Sequence, residues 1–566
     1  VIIPSDPVLR QAFYDELIDQ CLASRNNRFA LYSMLRNYFL FGGQDPAGAP
    51  YNKIGSTIDT MASFLYSPDA VRFSIYCGAT SVEDDIHKSV PLAREVTDQW
   101  RMSKTHLNFG MGLKWSLVFG SMLMKVQWSE RSKTIRSYLL EPHQFGVLRE
   151  DIPDLSDQEA FCMCYTITKT ELYGKLEGNP RREQIMKRVA RAGSTESARP
   201  FAEGLNRLII GGPVDGVSGS VALQGGSSSI EGGVAGRGTV QYSYQPSVQA
   251  ELVDMVDLYV FDDETKDYQL ASIASPDVTI FDRPQKRVGV AGRPHFVVIR
   301  PENNLYDYFW GESYVARLAW LQDWRTERVM QIRKLMALQV DPPAVGTGMG
   351  GIADEKFLAF YTPGGRLSAP TTMSKVSIEK PDVPETLFKD LDQIDSMFDD
   401  VAGLGHILQG KGESGVRSRG QADLMARLGS SRPKARAAVV EEQAEDVASL
   451  MLCNIQESSA QRFQVMLPGA KEPLTFIAEQ FTKDYEVKVD AHSSSPIFVE
   501  DRKKDADELF KAHAINRAAL LRAYDPPHVQ ELLEELKEIE AKEEKDKQLA
   551  AMAGQPHPDA HSKGRK

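Results

Sequence analysis

Cysteine is scarce, with five among 566 residues. At positions 21, 77, 162, 164 and 453 they are too scattered for a disulfide framework. Cys162 and Cys164 fall in AFCMCYTIT, which reads as a strand with both thiols on one face. Two small buried side chains is the preferred reading there, ahead of a metal or redox pair. Long apolar runs are missing as well. The most hydrophobic stretch, LNFGMGLKWSLVFGSMLMKVQW, is interrupted by Lys114 and Lys125, whereas a bilayer span needs about 20 apolar residues. VIIPSDP lacks the basic-then-apolar order of a secretory signal. The expectation is a soluble protein, made in a reducing cytoplasm, with no membrane contact. An excess of positive charge is also absent. A net charge of −12 argues against a general nucleic-acid coat, although an acidic wall lets DNA slide past without sticking.

Catalytic signatures are missing too. Gly405-His-Ile-Leu-Gln-Gly410-Lys411-Gly412 nearly matches the phosphate-cradling GxxxxGK[ST] loop, but Gly412 stands where a magnesium-holding hydroxyl belongs. That loop also follows an acidic helix and not a buried strand. Gly346-Thr-Gly348-Met-Gly-Gly351 formally matches GxGxxG, yet Pro342–Pro343 precede it where a dinucleotide site needs a strand. HExxH, GxSxG and spaced Cys/His clusters do not occur. Asp399–Asp400 and Glu441–Glu442 are adjacent pairs whose members point to different helix faces, unlike a two-metal nuclease. No enzyme activity, cofactor or metal is expected.

What is present is an ordinary globular composition, 42% hydrophobic and 25% charged, in a chain long enough for about three or four domains. Residues 7–43 read as two helices, with Phe13, Leu17, Ile18 and Cys21 on one apolar face. A helix ended by Ser67–Pro68 and a strand follow. Residues 86–128 read as largely helical, and IRSYLLEP as a strand. Residues 204–238 hold eleven glycines and five serines, a composition that buries too little to order itself, so a mobile loop is expected. MVDLYVFDD, YQLASI, VTIFDR and HFVVIRP alternate as strands of one small sheet.

The rest of the chain is organised around residues 312–462. Val315, Leu318, Leu321, Trp324, Val329, Ile332 and Leu335 recur at helical steps with no Gly or Pro between Glu312 and Gln339, giving about 42 Å of helix. VDPPAVGTGMGG breaks it and opens a Gly/Pro-rich excursion. A second, acidic helix starts at Pro384–Glu385. Its residues 385–400 carry six acids against Lys389, whereas residues 405–436 carry seven bases against two acids. The basic, glycine-studded GKGESGVRSRG then feeds a long helix in which Pro433 is expected to make a kink. After it, RFQVMLP, PLTFIAEQF and DYEVKVDAHS read as strands, and the chain turns helical from Val499. In its last helix Leu532, Leu533, Leu536 and Ile539 share one side.

Two helices around a β-containing excursion, then a basic glycine-rich loop and a long helix, resemble the portal proteins of tailed double-stranded DNA bacteriophages. The resemblance lies in the order and character of segments, and it implies an α+β fold. Residues 1–311 would form the N-terminal part of the wing, including the insert 204–238. The first stem helix is 312–339, the clip 340–384, the second stem helix 385–404 and the tunnel loop 405–420. The long kinked helix is 421–462, the wing strands of the C-terminal part 463–498, the helical crown 499–549 and the disordered tail 550–566. Lys411, Arg417 and Arg419 would meet DNA phosphates in the channel, and Asp392, Asp395, Asp399 and Asp400 would form an acidic band nearby. The resemblance further implies a dodecameric ring at one capsid vertex of the virion, assembled in a bacterial host's cytoplasm. Its partners would be double-stranded DNA, the terminase large subunit, head–tail adaptor or tail proteins and the major capsid protein, with a scaffold protein left open. The alternatives are a capsid or tail subunit without a channel, and a DNA-packaging ATPase or nuclease.

Overall fold

The computed structural model describes most of residues 2–189 and 252–340, the strands at 344–347 and 375–378, residues 382–403 and 431–457, three short strands between 462 and 489, and, nearer the C-terminus, mainly 506–524 and 535–542. The fold is mixed α+β and divides into two units, Val1–Ser494 and Ser495–Lys566.

In the first unit α1 (Pro7–Asn26) turns Tyr14, Leu17, Ile18 and Cys21 inward, and α2 (Phe29–Phe41) follows it. The stripe of α1 covers one face of a five-stranded antiparallel sheet ordered β4-β5-β6-β7-β8. Its strands are β4 (Phe145–Val147), β5 (Ala160–Thr168), β6 (Leu252–Asp262), β7 (Asp267–Ala274) and β8 (Val278–Gln285). Alternation along β5 decides which side chain goes where. Ala160, Cys162 and Cys164 face α1, whereas Phe161 and Met163 point into an aromatic core with Phe145, Tyr259, Phe296 and Phe309.

α3 (Lys53–Leu65) is started by the Asn52 side chain, which accepts from the Gly55 N–H at 3.0 Å. This is an N-cap bond worth about 1 kcal/mol. β1 (Phe73–Cys77), α4 (Glu83–Met102) and α5 (Thr105–Phe119) come next. The expectation of helix up to residue 128 needs correction, because residues 122–129 form β2 (Met122–Ser129). Gly120, at φ +93°, ends α5, and β2 pairs on one edge with β3 (Thr134–Leu140). Its other edge pairs with β9 (Phe296–Ile299). The expected single sheet is corrected here too, since β9 leaves the company of β6 to β8. Phe296, Val297 and Ile299 are all buried, on both faces of the strand. β9 is the edge of the β3-β2-β9 sheet, yet both its faces are covered, Phe296 by the aromatic core and Ile299 by α5 at Gly112.

Two short helices, α6 (Lys169–Lys175) and α7 (Arg182–Arg188), close the far end of the five-stranded sheet through Leu172, Leu176 and Ile185. α8 (Tyr314–Val340) is the uninterrupted helix expected from residue 312, and β10 (Ala344–Thr347) pairs antiparallel with β11 (Lys375–Ile378) after it. α9 (Glu385–Ala402) stops short of residue 404 because Gly403 takes a left-handed φ of 66° and donates its N–H back to Asp399 and Asp400. α10 (Ser431–Glu457) is the described part of the long helix. Pro433 is the third residue of this described part. The expected kink turns on residues 421–430, outside the described residues, as are the insert 204–238 and the tail 550–566. β12 (Arg462–Val465) pairs with β13 (Leu474–Ile477), while β14 (Tyr485–Val489) returns to pair with β1.

The second unit has helical residues 506–511, α11 (Arg517–Tyr524) and helical residues 535–542. Asn516 caps α11 by accepting from the Ala519 N–H at 2.8 Å, and the Tyr524 hydroxyl donates to Asp507 at 2.7 Å. Ile539, one of the four residues expected on an apolar side, is exposed within the chain.

Candidate functional site: the helix pair and its ionic clamp

α8 and α9 pack as neighbours in an antiparallel sense, with Arg328 of α8 against Asp390 (2.5 Å) and Arg325 against Asp395 (2.8 Å). α9 buries Ile394, Phe398 and Ala402 at four-residue steps. The Tyr314 hydroxyl at the start of α8 donates to the Ala402 carbonyl at the end of α9. A third element enters at Lys53, the first residue of α3. Its ammonium lies 3.2 Å from Asp395 and 3.3 Å from Asp399, donates to the Asp395 carbonyl at 2.8 Å, and sits over the Phe398 ring. The Lys53 N–H donates to Gln322 Oε1, and Gln322 Nε2 donates to the Tyr51 carbonyl. Gln322 is wholly buried, so both ends of its amide have to be satisfied. The Tyr38 hydroxyl of α2 donates to Asp323 at 2.6 Å. The pair is therefore bolted to the N-terminal helices by named polar contacts.

This alters the reading of the acidic band. Asp395 and Asp399 are taken up by Lys53 and Arg325, and Asp390 by Arg328, because carboxylates moved out of water need a cation beside them. Asp392 and Asp400 remain on the exposed side of α9. Lys53, Arg325 and Arg328 were missed in the sequence. Lys53 lies 342 positions from Asp395 and carries no local signal, although two arginines three apart on α8 match the acids of an antiparallel neighbour. Lys411, Arg417 and Arg419 all fall within 404–430, outside the described residues.

Burial by itself would raise the Asp395 carboxyl. The hydrogen bond from Arg325 and the charge of Lys53 outweigh it and hold the group below its ordinary 3.8. A carboxyl depressed by folding contributes stability that is present above its unfolded value and lost as the pH falls through the folded one. The urea midpoint should hold steady between neutral pH and about pH 5 and drop below about pH 4; a midpoint unchanged at pH 3 would contradict the clamp. Lys53→Met should cost about 3 kcal/mol, since it removes the ammonium that bridges half-buried Asp395 and buried Asp399. Most of that loss should return in Lys53→Met/Asp399→Leu, read from the same denaturation curves. A single variant as stable as the parent would show that the ion pairs carry nothing.

α10 is tied into the same body by side chains that bond to backbone. Gln443 accepts from the Arg300 N–H at 3.1 Å and donates to its carbonyl at 2.7 Å, standing in for a strand neighbour just past β9. Asn454 accepts from the Trp128 N–H at 3.2 Å, and Glu445 accepts from the Val489 N–H at 2.8 Å. Arg436 reaches Glu302, which also receives Arg317 of α8, so α10 and α8 share one carboxylate.

No protein-family model and no curated protein matches this chain. Its chemistry has to be read from the residues. Among the described residues no group of three or more His, Cys, Asp or Glu is arranged to hold a metal, and no helix is long and apolar enough to cross a membrane. Cys21 joins Cys162 and Cys164 as a third buried thiol, a neighbour across the α1–sheet packing. Burial and the adjacent Cys162 push the Cys164 thiol well above its ordinary range, which makes it a packing group and a poor nucleophile.

Proposed function

We propose that the chain is a portal subunit. It assembles, on this reading, into a ring at one capsid vertex through which DNA is packaged and ejected. The observation that carries the reading is the succession α8, β10–β11, α9, a basic glycine-rich segment and α10. On this reading a long antiparallel helix pair joined through a small β excursion is a stem with a clip, and the ionic clamp to α3, with the Tyr38–Asp323 hydrogen bond to α2, gives that stem a rigid base. Packed into a ring, the bases of 405–436 repeat around the axis and concentrate their field in the channel. Such contacts hold phosphates without reading bases. The terminase large subunit would dock on the clip and supply ATP hydrolysis. Head–tail adaptor or tail proteins would replace it, and the major capsid protein would surround the wing.

Electron microscopy of the purified protein, with native mass spectrometry to count subunits, tests this directly. It should be run with and without capsid and scaffold partners. Closed rings with an open centre are expected. Filaments, solid particles or a persistent monomer in both settings would reject the channel.

A further inference from the structure

The five-stranded sheet is charged oppositely at its two ends. At one end lie the segment 149–159, which leads into β5, and the turn 262–267 between β6 and β7. The Tyr268 hydroxyl brings them together by donating to the Gln158 carbonyl at 3.0 Å. These two segments carry nine acidic side chains against Arg149 and Lys266, a net of −7. A cleft of about 460 Å³ beside it is lined by Asp154, Asp157, Glu442 and Asp446, with Arg300 the one cation among its lining residues. At the other end α6 and α7 are seated through Leu172 and Ile185, and residues 169–188 carry six bases against three acids, a net of +3. Arg181, Lys187 and Arg188 are exposed there and have no carboxylate partner among the described residues.

β5 links the two ends. Its nine residues span about 30 Å at roughly 3.4 Å each, several times the Debye length of about 8 Å at physiological salt. The two ends of one molecule are too far apart to neutralise each other. Opposite patches on opposite ends of one body are complementary only between copies, in a head-to-tail contact, and such a heterologous contact closes into a ring when its rotation permits.

We propose that the acidic end of this sheet in one copy docks on the α6–α7 end of the next. The proposal rests on the ring reading, since it names a contact between neighbours. Two exposed-residue variants test it: Asp154→Lys/Asp157→Lys/Glu159→Lys/Glu264→Lys takes the acidic end from −7 to +1, so both ends are basic, and Lys187→Glu/Arg188→Glu takes the basic end from +3 to −1, so both ends are acidic. Mass photometry at low salt should show that each variant alone associates at least about tenfold more weakly than the parent, since like charges then face each other. An equimolar mixture should recover association, because each variant then complements the other; misfolded chains could not do this. Full assembly of either variant alone overturns this contact and leaves the ring reading standing, and so does a mixture that stays dissociated while the parent assembles. A parent chain that stays monomeric, with capsid and scaffold partners as well as without, overturns both.

Discussion

Gly120→Ala should abolish recoverable folded protein. Gly120 ends α5 at φ +93°, and a Cβ there would stand 2.1 Å from the Gly311 carbonyl oxygen and 2.7 Å from its carbon. Gly311 returns the constraint, with its own Cβ position 2.2 Å from the Gly120 carbonyl oxygen. Both obstacles are backbone, so no rotamer relieves them. The crossing is fixed further by the Ser313 hydroxyl, which donates to the Val118 carbonyl one residue before α8 begins. Left-handed strain of about 1–3 kcal/mol adds to the clash, and the total should exceed roughly 4 kcal/mol, much of what holds a domain together. Soluble yield and the urea midpoint are the measurements. Gly174→Ala in α6 is the control: its Cβ meets nothing within 4 Å, and it should gain about 0.5–1 kcal/mol. A Gly120→Ala protein with the parent midpoint would mean that the two backbones do not cross this closely.

The second large effect is functional. Changing Lys411, Arg417 and Arg419 together to Ala should leave ring yield unaltered while DNA protected inside particles falls to background. Each lost phosphate contact weakens a salt-dependent attraction, and in a ring the loss repeats in every subunit. The three residues lie outside the described residues, so this expectation stands on the basic, glycine-spaced sequence and on the proposed ring. Normal packaging and retention in the triple variant, with rings intact, would remove this loop from the DNA path.

Helices whose burial repeats locally were legible in the sequence. α8 is uninterrupted over the expected span because Val315, Leu318, Leu321 and Ile332 mark one buried face, and a turn glycine sets the end of α9. Strand partners were not legible. HFVVIRP was recognised as a strand, but nothing within seven letters says that its neighbour is β2, more than 170 positions earlier. The segment MLMKVQW was absorbed into a helix because its apolar content continues that of α5; the break depends on a backbone crossing at Gly120 that only the folded chain contains. Charge was the hardest property to place. Counting acids along 385–400 treats them as one patch, whereas cations from α3 and α8 take three of them inward. The opposite charges at the two ends of the five-stranded sheet are not legible along the chain for a related reason. Residues 149–159 and 262–267 are unremarkable runs until β5, β6 and β7 set them side by side.

The backbone bonds made by α10 also constrain how the protein can be born. Trp128, Arg300 and Val489 each rely on a side chain between Gln443 and Asn454 to take up an amide proton. A ribosome working at about 5–20 residues per second releases β2 and β9 well before α10 exists. The Trp128 and Arg300 amides must wait, still turned to water, for the helix that takes them up, whereas Val489 emerges after its acceptor is already made. That closure therefore follows the synthesis of α10, some 130 residues and more after the strands it completes.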